Sequence, residues 1–175
     1  IRNVSKIVNE KMNGNFYIFI KDITVDIELF DVIIDYFPNF KDERIYNDKK
    51  IYFYKLAQLL TSDILHIVEQ KENIKVDYSH LIGCADYKIP QVMRGLGILE
   101  YSDKLSNIID NKKEIEVNSE YEVEIRANML EAIDLIKKRL ENRVCAIDIN
   151  DYIWSQGRNK NIELKPYHLT RNTNY

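Results

Sequence analysis

The chain has 175 residues, 45% of them hydrophobic, which suits the core of one domain at about 150 residues per domain and gives no reason to expect two. Its 25 basic and 28 acidic residues leave a formal charge of -3, which argues against a duplex DNA or RNA binder but leaves room for a small phosphorylated ligand that needs only a few cations. No apolar run approaches the ~18 residues of a membrane span and no positively charged start leads into an apolar stretch, so the expected compartment is the cytoplasm.

The first residue is Ile1 and not methionine, which reads as a piece of something longer. Asn15 to Ile20 is the best candidate for a strand. Residues 26 to 36 place Ile27, Phe30, Ile33 and Ile34 at helical spacing, and Pro38 stops the run. The stretch 51 to 70 repeats the pattern through Phe53, Leu56, Leu59, Leu60, Ile64 and Ile67. Residues 86 to 99 form a short helix after an aspartate cap and Pro90, closed by Gly95 or Gly97. From Tyr121 to Arg143 an apolar stripe ends in Lys137, Lys138 and Arg139, where cations suit the helix dipole. With five glycines, three prolines and no repeat or linker, residues 1–175 read as a single all-α domain, or nearly so.

Cys84 and Cys145 lie far apart with no CxxC partner, so buried free thiols are expected, not a zinc knuckle or redox pair. His66 and Glu69 stand three apart without a second ligand pair; neither a metal nor a cofactor is expected. Lys55 sits on a helix amid aromatics, where a lysine usually snorkels. Asp86 is as good a helix cap as it is a carboxylate accepting the paired N–H groups of a guanine-type base. Asp148, Asn150 and Asp151 crowd three polar residues into four positions before Trp154. That is denser than capping requires and suits stabilisation of a cationic sugar. His168 and Arg171 in the tail could bind an anion, though a solvated tail normally explains such residues.

These segments, in this order, resemble the signatures of the queuosine salvage proteins. An aromatic-Tyr-Lys-x-Ala-Gln helix matches Phe53 to Gln58, and an Ala-Asp-Tyr-basic-x-Pro-Gln-Val run matches Ala85 to Val92, followed by Leu99 to Ser102. Glu122 to Ala127, Asn150 to Trp154, and His168, Thr170, Arg171 and Tyr175 continue the likeness, and Gly14, Phe16 and Phe37 to Asp42 begin it. The resemblance implies a helical fold similar to the helix-hairpin-helix DNA glycosylases. It also implies an activity, the hydrolysis of queuosine 5'-phosphate to free queuine, with the catalytic aspartate near the start of a late helix. Four residues before the tryptophan, where the family carries that aspartate, this chain has Asn150. Asp151 then becomes the candidate carboxylate, with Asn150 and Asp148 beside it. The likeness further implies base contacts at Cys84, Asp86, Tyr87 and Ser155, and phosphate or ribose contacts at Lys55, His168 and Arg171. Arg126 is expected to buttress Glu124 or another carboxylate, and Trp154 to be a core aromatic. Family members are about twice this length, so a separate N-terminal half of the same fold is an expected partner. The competing expectations are a catalytically altered relative that binds a queuine or 7-deazaguanine nucleotide, and a nucleic-acid glycosylase.

Overall fold

The computed structural model describes residues 2–20 and 27–174; Asp26 and the terminal Tyr175 lie outside them. Among these residues the chain forms eight α-helices and one small antiparallel sheet. The helices are α1 (Arg2–Lys11), α2 (Phe16–Ile20), α3 (Ile27–Tyr36), α4 (Lys55–Glu72), α5 (Lys88–Gly95), α6 (Asp103–Asp110), α7 (Glu120–Arg139) and α8 (Ala146–Gln156). The strands are β1 (Glu43–Tyr46) and β2 (Lys49–Tyr52). The mostly helical expectation holds.

Two local expectations fail. Phe16–Ile20 is a helix, not a strand. Its aromatic and β-branched composition favours a strand only where a sheet can receive it, and here Phe16 packs edge-on against Phe37 with centroids 6.1 Å apart. The helix expected from residue 51 begins at Lys55 instead. Ile51 and Tyr52 belong to β2, held in register by the pairs Glu43–Tyr52 and Arg44–Ile51. The hairpin turn is Asn47 and Asp48, both at positive φ (47° and 59°), the backbone that a two-residue turn between twisted strands demands. Tyr54, also left-handed at φ 47°, then redirects the chain into α4, and its hydroxyl donates to Glu43 Oε1 at 2.5 Å.

The apolar interior has two main clusters. One joins α5, α7 and α8 through Ile89, Met93, Met129, Ile133, Ile149 and Ile153, with Phe53 buried among them. The other joins α1, α3 and α4 through Met12, Leu29, Ile33, Ala57 and Leu65. α8 belongs to both, because Ile147 packs in the second cluster and Ile149 and Ile153 in the first. The loop before α5 does the same, with Leu81 and Cys84 in the second cluster and Ala85 in the first. Loop and helix therefore meet at the seam between two packed bodies. Close packing on both sides fixes their polar side chains.

Candidate active site

Gly83 shapes the seam. Its φ of +110° is backbone that L side chains rarely adopt, and a Cβ there would approach Ile133 Cδ1 at 3.1 Å. The turn delivers the Cys84 N–H to Asn150 Oδ1 at 2.8 Å. Asn150, 4% exposed, donates in turn from Nδ2 to Asp151 Oδ1 at 2.9 Å. The Cys84 thiol is buried, and burial pushes it up to about 12. It stays protonated, an apolar wall and not a nucleophile.

Asp86 is both a cap and a candidate ligand group. Its Oδ1 accepts the backbone N–H groups of Lys88 and Ile89, each at 2.9 Å, which satisfies two of the orphan donors at the start of α5. Neither bond uses Oδ2. Burial raises the Asp86 pKa, against the opposing pull of the Ile89 N–H and the Lys55 charge. A largely buried carboxylate whose second oxygen neither cap uses is a candidate for recognition, held at some cost to folding.

Lys55, Asp63, Cys84, Asp86 and Asp151 share one electrostatic neighbourhood. The fields of Lys55, Asp86, Asp151 and Asp63 all act on the Cys84 thiol. Asp63, exposed on α4, is shifted upward first by desolvation, then pulled down by His66 and up by Asp151. The structure therefore brings together Lys55, Cys84, Asp86 and Asp151 from the sequence candidates and adds Asp63, which sequence reasoning missed. The available signal was its place on the same helix as Lys55, two turns on.

Behind this group lies a buried ion network. Arg126 is fully buried; its Nε donates to the Ala85 carbonyl at 2.9 Å and its Nη1 to Glu122 Oε1 at 3.2 Å. Nη2 pairs with Asp42 Oδ2, and the guanidinium lies 4.0 Å over the Phe53 ring. Its carboxylate partners are thus Asp42 and Glu122; Glu124 instead accepts the Tyr46 hydroxyl at 2.6 Å. By anchoring the Ala85 carbonyl, Arg126 sets the backbone one residue before Asp86. Arg126→Met is expected to cost about 3–5 kcal/mol of stability in urea denaturation, because it removes the buried cation between Glu122 and Asp42 and leaves Arg44 as the guanidinium on Asp42.

The other candidates stand apart. Asp148 closes the start of α8, its Oδ2 accepting the Cys145 N–H at 3.0 Å and its thiol at 2.8 Å. The Ser155 hydroxyl donates to the Tyr152 carbonyl at 2.6 Å. Tyr87 is 40% exposed and pairs with the Tyr167 ring at 4.8 Å. Trp154 is not in the core: it is 44% exposed with the Arg158 guanidinium 5.0 Å over its ring, and Ile153 takes the buried position. Arg171 is exposed and pairs with Glu114 at 3.3 Å.

The tail is not free. The Ile115 N–H bonds the Leu169 carbonyl at 2.7 Å, and the Asn174 amide reaches Asp42 at 3.2 Å. This docking buries His168 to 3% exposure. Desolvation, then the Arg126 charge, lowers its pKa to about 4, so at neutral pH it offers a phosphate no charge. Because the folded value lies below the ordinary 6.5, His168 stabilises fully above pH 6.5 and less as pH falls toward 4. The loss amounts to about 3 kcal/mol. Urea denaturation across this range should show the slope, and His168→Asn should flatten it.

A cavity of about 640 Å³, lined by Arg2, Pro38, Lys41, Leu56 and Asn174 among others, contains none of the clustered groups. Volume without converging chemistry does not define a site.

Comparison with known proteins gives one answer. The family described as "Queuosine salvage protein" matches residues 1–175. A Dictyostelium discoideum protein is 32% identical over 179 residues, covering 97% of this chain and 54% of its own length. One from Sphaerobacter thermophilus is 33% identical over 153 residues, covering 85% and 47%, and one from Mus musculus is 31% identical over 185 residues, covering 98% and 55%. Each is named queuosine 5'-phosphate N-glycosylase/hydrolase. The chain spans about half the length of these relatives.

Proposed function

The chain belongs to the queuosine salvage protein family, and from that premise we propose that it hydrolyses the N-glycosidic bond of queuosine 5'-phosphate and releases queuine. The observation that carries this reading is the pair of hydrogen bonds that ties Asp151 through the Asn150 amide to the Cys84 loop, two residues before Asp86, with the Lys55 charge acting on the same loop. The leaving base is a 7-deazaguanine, whose position 7 is carbon, so the protonation that usually assists a departing purine is closed to it. Catalysis must then rest on stabilising the sugar cation and on hydrogen bonds that spread charge over the base.

Asp151, exposed at the second turn of α8, is the carboxylate that faces the sugar. Asp86 reads the guanine-like edge through Oδ2, with Cys84 and Tyr87 beside it. Lys55 is the cation for the phosphate; neutral His168, buried in the docked tail, brings it no charge, and Arg171, paired with Glu114, lies outside the site. Asp148 and Ser155 act in α8 itself, where their bonds already go. Asp63 and Asp151 carry the edge of the cluster to the surface, where a second half of the same fold would form the opposite wall, in a helical frame of the helix-hairpin-helix glycosylase kind. Duplex nucleic acid is not a partner in this reading, and the free thiols Cys84 and Cys145 suit the cytoplasm.

Incubating the full-length protein with queuosine 5'-phosphate and following free queuine by mass spectrometry tests the reading. Release supports it; tight binding without release favours the catalytically altered binding relative.

A further inference from the structure

Asn150 holds the position where the family resemblance expects the catalytic aspartate, yet its surroundings differ from those of a group that meets substrate. It is 4% exposed, and both ends of its amide are engaged. Oδ1 accepts the Cys84 N–H at 2.8 Å and Nδ2 donates to Asp151 Oδ1 at 2.9 Å. We infer that Asn150 is a positioning residue for base release, fixing the Asp151 carboxylate and the loop that carries Asp86 in one bracket. The inference rests on the reading of Asp151 as the carboxylate that faces the sugar.

The chemistry of the bracket is specific. A terminal amide presents an acceptor on one side and a donor on the other, whereas a carboxylate only accepts and a hydroxyl is too short to span both partners. An ionised aspartate at 150 would keep the acceptor toward Cys84 but set one carboxylate against another at Asp151. Protonated, it would donate an O–H to Asp151 and restore the arrangement. Lys55, Asp63 and His66 act on this region from α4, and Cys84 and Asp86 from the loop. Like-charge crowding by Asp63 and Asp86 strengthens the shared proton's hold, while Lys55 weakens it.

The test is single-turnover release of queuine from queuosine 5'-phosphate by the full-length protein as a function of pH, with melting temperatures measured alongside. Asn150→Asp should lower the rate about tenfold or more near neutral pH, recover toward the unmodified protein as pH falls, and leave KM within about threefold because the Cys84 bond survives. The sign follows from the donor: it exists only while the pair holds a proton, so activity is present below the pair's upper ionisation and is lost above it. Should Asn150→Asp fail to fold, Asn150→Leu compared with the Asn150→Leu/Asp151→Asn double variant gives the answer. Leu should slow release in the native background and add little once Asp151 is gone.

Asn150→Asp releasing base as fast as the unmodified protein at every pH would overturn the inference while leaving Asp151 in its role, and so would a Leu penalty undiminished by Asp151→Asn. Asp151→Asn at full rate would instead sink the reading of Asp151, and the bracket with it.

Discussion

Asp151→Asn is expected to slow queuine release by about 100- to 1,000-fold, the range seen when one preorganised electrostatic partner of a developing charge is removed. The substitution preserves shape, and the retained Oδ1 still accepts the Asn150 amide that reaches it at 2.9 Å. It removes only the negative charge that attracts the sugar as C1′ becomes cationic. Because that attraction exists mainly in the transition state, kcat and kcat/KM should fall together while KM changes little. Asp151 is exposed on α8, so the melting temperature should stay within the ordinary scatter of surface substitutions. Steady-state kinetics beside a thermal melt separates these outcomes. A loss of activity with a parallel loss of melting temperature would assign Asp151 to the fold instead.

Asp86→Asn carries the second large effect and the opposite stability signature. Asn Oδ1 can keep both caps at the start of α5, to Lys88 and Ile89. The amide nitrogen then occupies the place of Oδ2 and points a donor at a base edge that is itself made of donors. Losing a hydrogen bond to a charged acceptor costs about 1.5–3 kcal/mol, so kcat/KM should fall roughly ten- to a hundredfold or more. Folding should not suffer. The Asp86 pKa is raised by burial, so its stabilising contribution belongs to the protonated form below about pH 3.8 and is lost as pH rises through the folded value. At neutral pH the ionised group is a cost to the folded state, and asparagine lacks that cost. A melting temperature at pH 7 equal to or above that of the unmodified protein, with depressed turnover, is the expected pair of results. A variant that melts early would show that the cap, and not recognition, is what requires a carboxylate.

Much of the architecture follows from periodicity because the decisive helices are amphipathic. The stripe through Ile125, Met129, Ala132 and Ile133 places those residues in the core of α7, and Pro90 and Asp86 mark the start of α5. The hairpin escaped because its strands are four residues long and carry charges at Glu43, Arg44, Lys49 and Lys50. Its readable signal was the Asn47-Asp48 pair, a turn dipeptide suited to positive φ. The strand expected at Asn15–Ile20 shows the converse, local composition yielding to the surface offered by Phe37.

The site divides the same way. Lys55, Asp86 and Asp151 stand out locally as polar residues set against apolar or aromatic neighbours. The Arg126–Asp42 pair, 84 residues apart in the chain, leaves no local trace, and the role of Asn150 depends on a loop 66 residues upstream. At Asp86 the observed cap and the proposed recognition role need not compete, since a carboxylate has two oxygens and the caps of α5 use one. Where sequence reasoning set those explanations against each other, the geometry accommodates both.

The most direct test of the account is a single-turnover comparison of queuine release from queuosine 5'-phosphate carrying hydrogen or deuterium at ribose C1′, using the full-length protein. A sugar cation loosens the C1′–H bending motion as the carbon flattens, so the deuterated substrate should react measurably more slowly, with the rate suppressed in Asp151→Asn. Equal rates for the two isotopes, or no release of base at all, would contradict it.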